Sequence, residues 1–201
     1  MMVKYMQITI KMMTLYKKEV IYMKYAIPKF ITADKIKKIR EQLKMTQKEF
    51  AVFVGVSKPT VERWEISKDK INGPIVLLVS MLEDNLDYVD TLKIPNKELP
   101  LRLYYMNDQK ICTLIDVDII KQEVKIKNYT NNILYRAFGT NEKPTFNDYQ
   151  SFLKSRCFPE TRDKLKLVLA DLNLPFYDPF LIIEKTEGRM ADDKFWIKIE
   201  E

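Results

Sequence analysis

The sequence predicts an α+β fold in two parts, an all-α bundle over residues 32–90 and a small α+β domain with an antiparallel sheet over residues 101–201. Three observations predict it. Apolar residues recur at steps of three and four, with capping residues at the breaks, from Thr32 to Asn85. Beyond Pro100 the pattern changes to alternating, β-branched stretches. Charge divides the same way: residues 1–73 hold 16 Lys/Arg against 7 Asp/Glu, a balance of +9, so the remainder carries −3 of the total of +6.

Composition bounds the rest. With 46% hydrophobic and 31% charged residues, four glycines and nine prolines, the 201-residue chain is globular and can bury one medium core or two small ones. There is no histidine, and Cys112 and Cys157 lie far apart. Zinc sites and histidine-dependent hydrolysis are disfavoured, and so few cysteines suit a reducing cytoplasm. No enzyme activity, cofactor or metal is expected: Asp116, Asp118, Asp192 and Asp193 lack the spacing of a calcium loop and read as turn and cap residues. Lys4, Lys11, Lys17 and Lys18 cut the N-terminal apolar run before it could span a membrane or form a signal peptide. Residues 1–31 read as an extension, either an ordered strand or a segment upstream of a translation start at Met23.

In TADKIKKIREQLK, Ile36, Ile39, Arg40 and Leu43 share one face of a helix that Thr32 caps. A second helix follows, with Thr46 and Glu49 at capping-box spacing and Phe50, Ala51, Phe53 and Val54 turned inward, and Gly55 ends it. Ser57 or Lys58 caps a third, in which Val61 and Trp64 face the core. Pro59 sits where backbone N–H groups have no intrahelical acceptor, so it costs no ladder bond, and it biases Lys58 toward the cap position. Gly73-Pro74 opens a further helix that closes the bundle with Ile75, Leu78, Val79 and Leu82 and leaves Leu77 and Met81 on another face, suited to a homodimer or to packing against the second domain.

Two short helices joined by a glycine turn make a helix-turn-helix. T-Q-K-E-F-A, G-V-S and V-E-R-W-E resemble the Cro/lambda-repressor-like (XRE) family over about residues 32–85. The expected partner is double-stranded DNA. On the third helix, Lys58 and Arg63 can reach guanine O6/N7, Thr60 a thymine methyl or a phosphate, and Glu62 either accepts from a cytosine amine or repels wrong sites. The resemblance implies that Gln47 holds a backbone phosphate, and Ser57 can do likewise. Lys68 and Lys70 occupy a loop suited to phosphate contact.

TLKIPNKELP, residues 91–100, reads as a linker. Residues 101–138 read as three or four short antiparallel strands, FNDYQSFLKSRCFPETRDKLKLVLADLNL as two helices split at Cys157-Phe158-Pro159, and Asp178-Pro179 as the start of a last helix running toward Gly188. S-R-C-F-P-E-T-R, D-P-F-L-I-I-E-K-T-E-G and D-D-K-F-W-I resemble a segment near the N-terminus of HipA-like kinases of low-GC Gram-positive bacteria, over about residues 150–198, without any kinase motif. That resemblance implies kinship in fold or in partner, not phosphotransfer, the partner being a HipA-like kinase or a related protein. Arg156, Arg162 and Trp196 are the candidate partner-binding residues, with Pro159 opening a helix between the two arginines. The expected function is a sequence-specific transcriptional regulator, an autorepressor or the antitoxin side of a HipA-like toxin-antitoxin operon. The alternatives are a repressor whose C-terminal domain senses a small molecule, and a prophage regulator that binds a host protein.

Overall fold

The computed structural model describes residues 26–200, so the N-terminal strand and start-site readings lie outside the described residues. The chain divides between Asp90 and Thr91 into two compact units. The first contains helices α1 (Ala33–Gln42), α2 (Gln47–Val54), α3 (Lys58–Ile66), α4 (Pro74–Asp84) and most of α5 (Leu86–Leu92). Its core is assembled from the periodic positions: Ile36, Phe50, Val61 and Val79 are fully buried, with Phe53, Val54, Trp64 and Leu78 packed against them. Ile31 belongs to the same core and bridges Ile71 in antiparallel fashion, so the unit starts ahead of Thr32.

Local chemistry sets the helix ends. Thr46 accepts from the Glu49 N–H and the Glu49 carboxylate accepts from the Thr46 N–H, a complete capping box. Gly55 stands at φ 73° and turns the chain into α3. Ser57, not Lys58, is the N-cap of α3: Lys58 is the first helical residue and Pro59 the second. The residue before a proline is biased away from helical geometry, but at a helix N-terminus the bias is overcome, and the missing Pro59 N–H belongs to a turn that needs no donor.

The second unit is an antiparallel sheet with helices packed on it. Strands β1 (Leu101–Asn107), β2 (Lys110–Asp118), β3 (Glu123–Asn128) and β4 (Phe195–Glu200) stand in the order β3-β2-β1-β4. The first three form a meander, and β4 returns from the end of the chain to pair with β1, Leu103 opposite Ile199 and Tyr105 opposite Ile197. Helices α6 (Phe146–Ser155), α7 (Leu165–Asp171) and α8 (Pro179–Thr186) complete the unit. Their apolar positions Phe152, Leu153, Leu169, Ile182 and Ile183 share one core with Leu103, Ile115, Val117 and Ile197 of the sheet.

Three expectations for this unit are corrected. The stretch NNILYRAF is not a strand: Asn132 accepts from the Leu134 N–H and starts a 3-10 turn at Ile133–Tyr135. Pro159 does not open a helix, because the chain makes a turn from Pro159 to Arg162 and α7 begins only after Lys164, which adopts φ 56°. The presumed linker is a strap. Arg102, buried among the strands, pairs through two nitrogens with Asp116 at 2.6 and 2.7 Å and donates two further N–H groups to the carbonyls of Pro95 and Asn96. Asp116 also accepts from the Glu98 N–H, and Leu99 is buried. A guanidinium and a carboxylate can be taken out of water only if their remaining donors and acceptors are met, and the strap backbone meets them.

Candidate nucleic-acid interface

Helix α3 carries the side chains expected to meet DNA, and its N-terminal turn determines how they stand. Arg63 is exposed and has no hydrogen-bond or ion-pair partner among the described residues. Lys58 and Glu62 are joined by an ion pair at 2.8 Å, both about half exposed. Such a pair contributes about 0.3–0.5 kcal/mol, so it holds the two side chains in register and yields readily to a base or phosphate. The Ser57 and Thr60 hydroxyls lie 2.9 Å apart and share a hydrogen bond, and neither caps the helix. Pro59 has no N–H and the Thr60 N–H donates to the Ser57 carbonyl at 3.0 Å, so in the first turn of α3 the backbone donor left for an anion is the Lys58 N–H.

Gln47 opens α2 and is half-buried. Its Nε2 donates to Glu65 at 2.9 Å, which leaves a second N–H of the amide for an acceptor outside. Glu65 is the hub of this corner: it also takes two hydrogen bonds from Arg40, at 2.6 and 3.1 Å, while Arg40 Nη1 donates to the Met45 carbonyl. Burial pushes the Glu65 carboxyl up, but the Arg40 and Gln47 hydrogen bonds outweigh it and the net shift is downward. One carboxylate on α3 therefore locks α1, the α1–α2 turn and the start of α2 to the helix that carries Arg63. The sequence reading missed Arg40 and Glu65 as a pair. The available signal was an arginine in the apolar stripe of α1, a position that demands a buried anion.

In the loop after α3, Ser67 accepts from the Asp69 N–H and holds a tight turn that presents Lys68 outward, exposed. Lys70 is placed differently, with its ammonium 4.1 Å from the centre of the Phe30 ring. A cation–π contact at an exposed site contributes about 0.5–1 kcal/mol, so of the two lysines Lys68 is the more available to a phosphate.

Of the candidate residues of the second unit, Arg162 is exposed, Trp196 is half-buried and Arg156 is withdrawn from the surface. Arg156 is a correction: it is buried, donates twice to the Gly188 carbonyl, pairs with both oxygens of Asp193 at 2.6 and 3.1 Å, and donates to the Phe195 carbonyl. That leaves it nothing to offer a partner. The Arg156 hydrogen bonds, opposed by burial, hold the Asp193 carboxyl below its usual range. Gly188 is at φ 58°, and a Cβ there would come within 3.3 Å of both Arg156 and Ile197, so a larger residue would be strained. Arg162 is exposed and lies over the Phe158 ring at 5.6 Å. Trp196 is half-buried on β4, donating its indole N–H to the Asp108 carbonyl at 2.7 Å under the Arg189 guanidinium. Cys157 is buried, and burial together with Asp178 pushes its thiol up to about 12, which leaves it unreactive near neutrality.

Residues 36–81 match the helix-turn-helix family, a span that begins in α1 and ends in α4 and so contains the whole α2–α3 corner. The first unit is therefore a DNA-binding helix-turn-helix of the XRE type, the kind of domain found in transcriptional regulators. Among curated proteins, the chain is 42% identical over 66 residues to the type II methyltransferase M.SsoII of Shigella sonnei. That match covers 31% of this chain and 16% of the methyltransferase, so the likeness is confined to a minor part of each. No helix among the described residues is long and apolar enough to cross a membrane.

Proposed function

We propose that the protein is a sequence-specific operator-binding repressor, a binding protein and not an enzyme, in which α3 enters the major groove. The observation that carries this reading is the state of α3 itself. Arg63 projects without a partner among the described residues from a helix whose orientation the Arg40–Glu65–Gln47 node holds, beside an easily separated Lys58–Glu62 pair. Arg63 reads a guanine, Lys58 and Thr60 contact the adjacent positions, and Gln47, Ser57, Lys68 and Lys70 hold phosphates. Leu77 and Met81, one turn apart on α4 and exposed at 47% and 59%, supply an apolar strip for a homodimer on a two-half-site operator. For autoregulation the operator lies beside the protein's own gene. A HipA-like kinase partner, if bound through the second unit, would use Arg162 and Trp196 without Arg156.

The test is selection of randomised duplexes by the purified chain. The expected result is an enriched motif with two related halves, one helical turn or a multiple of it apart. Binding without any enriched sequence would overturn the reading, and a single half-motif would remove the dimer from it.

A further inference from the structure

The outer side of α3 has a crest of three residues. At about 100° per residue, Arg63 and Ile66 fall within about 40° of Pro59, whereas the fully buried Val61 falls about 160° from it. Pro59 and Arg63 are exposed, and Ile66 is 81% exposed. Two of the three crest positions are thus apolar. Lys58 and Glu62 stand to one side, joined to each other, and on the other side Thr60 is half-buried with its hydroxyl on Ser57. A proline ring carries neither donor nor acceptor, so its favourable neighbour in the major groove is an apolar group. The base edges there offer one, the C5-methyl of thymine. The ring also loses no rotamer freedom when it makes that contact. Because the N-terminal residues of a recognition helix meet the base edges, Pro59 is better placed for it than Ile66, which lies about 10 Å further along the helix.

We propose that Pro59 is a specificity-determining residue that reads a thymine through its C5-methyl, near the guanine read by Arg63. The inference rests on α3 entering the major groove. Pro59 and Arg63 are about 6 Å apart along the helix axis, which corresponds to about two base-pair steps. Contact with the methyl alone has a particular signature. Pro59 cannot tell thymine O4 from the cytosine amine, so 5-methylcytosine gains as thymine does, and uracil loses as cytosine does.

The experiment takes the duplex enriched in the selection and measures the affinity of the full chain as each thymine is replaced by uracil, a change that removes a methyl and leaves the base pairing as it was. At one position uracil should bind about 3- to 5-fold more weakly than thymine, the value of one buried methyl group. With cytosine placed at that position, 5-methylcytosine should recover the same factor. Pro59→Ser should erase both factors, and Pro59→Val, which restores an apolar surface, should keep them, with thermal melts of each variant recorded beside the binding. The absence of a methyl-sensitive position, factors that persist in Pro59→Ser, or their loss in Thr60→Ser, which removes only a methyl group, would each overturn the proposal and leave the operator reading standing. A selection that enriches no motif would overturn both.

Discussion

Arg63 in the first unit and Arg156 in the second both look like binding residues in the sequence, yet they end in opposite situations. Arg63 is on the outer face of a nine-residue helix and touches nothing charged among the described residues. Arg156 caps α6, is 7% exposed and spends its guanidinium on Gly188, Asp193 and Phe195. The difference lies in where each arginine's possible anion falls in the chain. Around Arg63, the neighbouring Glu62 is taken by Lys58 and Glu65 by Arg40. For Arg156, Asp193 is 37 residues away and is brought alongside by the return of the chain into β4. An arginine is thus a binding group only after the fold has assigned its carboxylates.

The largest test of this contrast is Arg156→Met. It leaves Asp193 and the Gly188 carbonyl without their donor, and removing one member of a buried pair costs about 3–5 kcal/mol. Chemical denaturation of the full chain should show that loss, which also makes the variant useless as an interface probe. A stability unchanged from the parent would return Arg156 to the surface and break the contrast.

Next in size is Glu65→Gln. At neutral pH it weakens the charge-assisted bonds from Arg40, at about 1.5–3 kcal/mol. The pH dependence has a definite sign. The Glu65 pKa is depressed in the fold, so the unfolded chain takes up the proton first, and the stability Glu65 contributes is complete above the ordinary glutamate range and lost as pH falls through the folded value. The difference between Glu65→Gln and parent should therefore shrink on acidification. A constant difference in urea midpoints from neutral pH to the acid limb would rule out the depressed carboxylate.

Much of the first unit was legible because its information is local. The Thr46–Glu49 box spans three residues, Gly55 announces its left-handed turn, and Ile36, Ile39 and Leu43 declare the face of α1 by spacing alone. The second unit was less legible for the same physical reason inverted. Strand β4 carries the alternation Phe195, Ile197, Ile199, a usable signal, but its pairing with β1 spans some 96 residues, as the hydrogen bond from Tyr104 to Glu200 illustrates. The linker reading failed on Arg102 and Asp116, which give no local sign that they tie down the backbone at Pro95 and Asn96. At the candidate interface, exposed lysines could be nominated from the sequence. That Lys58 would pair with Glu62 at i, i+4 was readable, whereas the parking of Lys70 on Phe30 required the tertiary fold.

Arg63→Ala comes third and sharpens the comparison from the other side. It removes no hydrogen bond or ion pair among the described residues, so the melting temperature should stay where it is. Affinity for the selected operator should fall by about 1–3 kcal/mol, with one base position relaxed, as for loss of a bidentate guanine contact. A uniform loss across all duplexes, with the motif intact, would assign Arg63 to the phosphate backbone.

Lys68→Ala carries the smallest expected effect and separates positioning from reading. The Ser67–Asp69 turn presents Lys68 outward without a partner among the described residues, so a phosphate contact there involves no base edge. Loss of one neutralised phosphate should reduce the log–log salt slope of binding by roughly 0.9 and weaken all sequences alike. Lys70→Ala provides the internal comparison: its ammonium rests on Phe30, so DNA has to draw it away from an existing contact, and its removal should change the slope less. Equal changes in slope for the two lysines would mean that the ring contact does not restrain Lys70. A shift in the selected motif with Lys68→Ala would mean that the loop after α3 reads sequence, and the division of work between helix and loop would have to be redrawn.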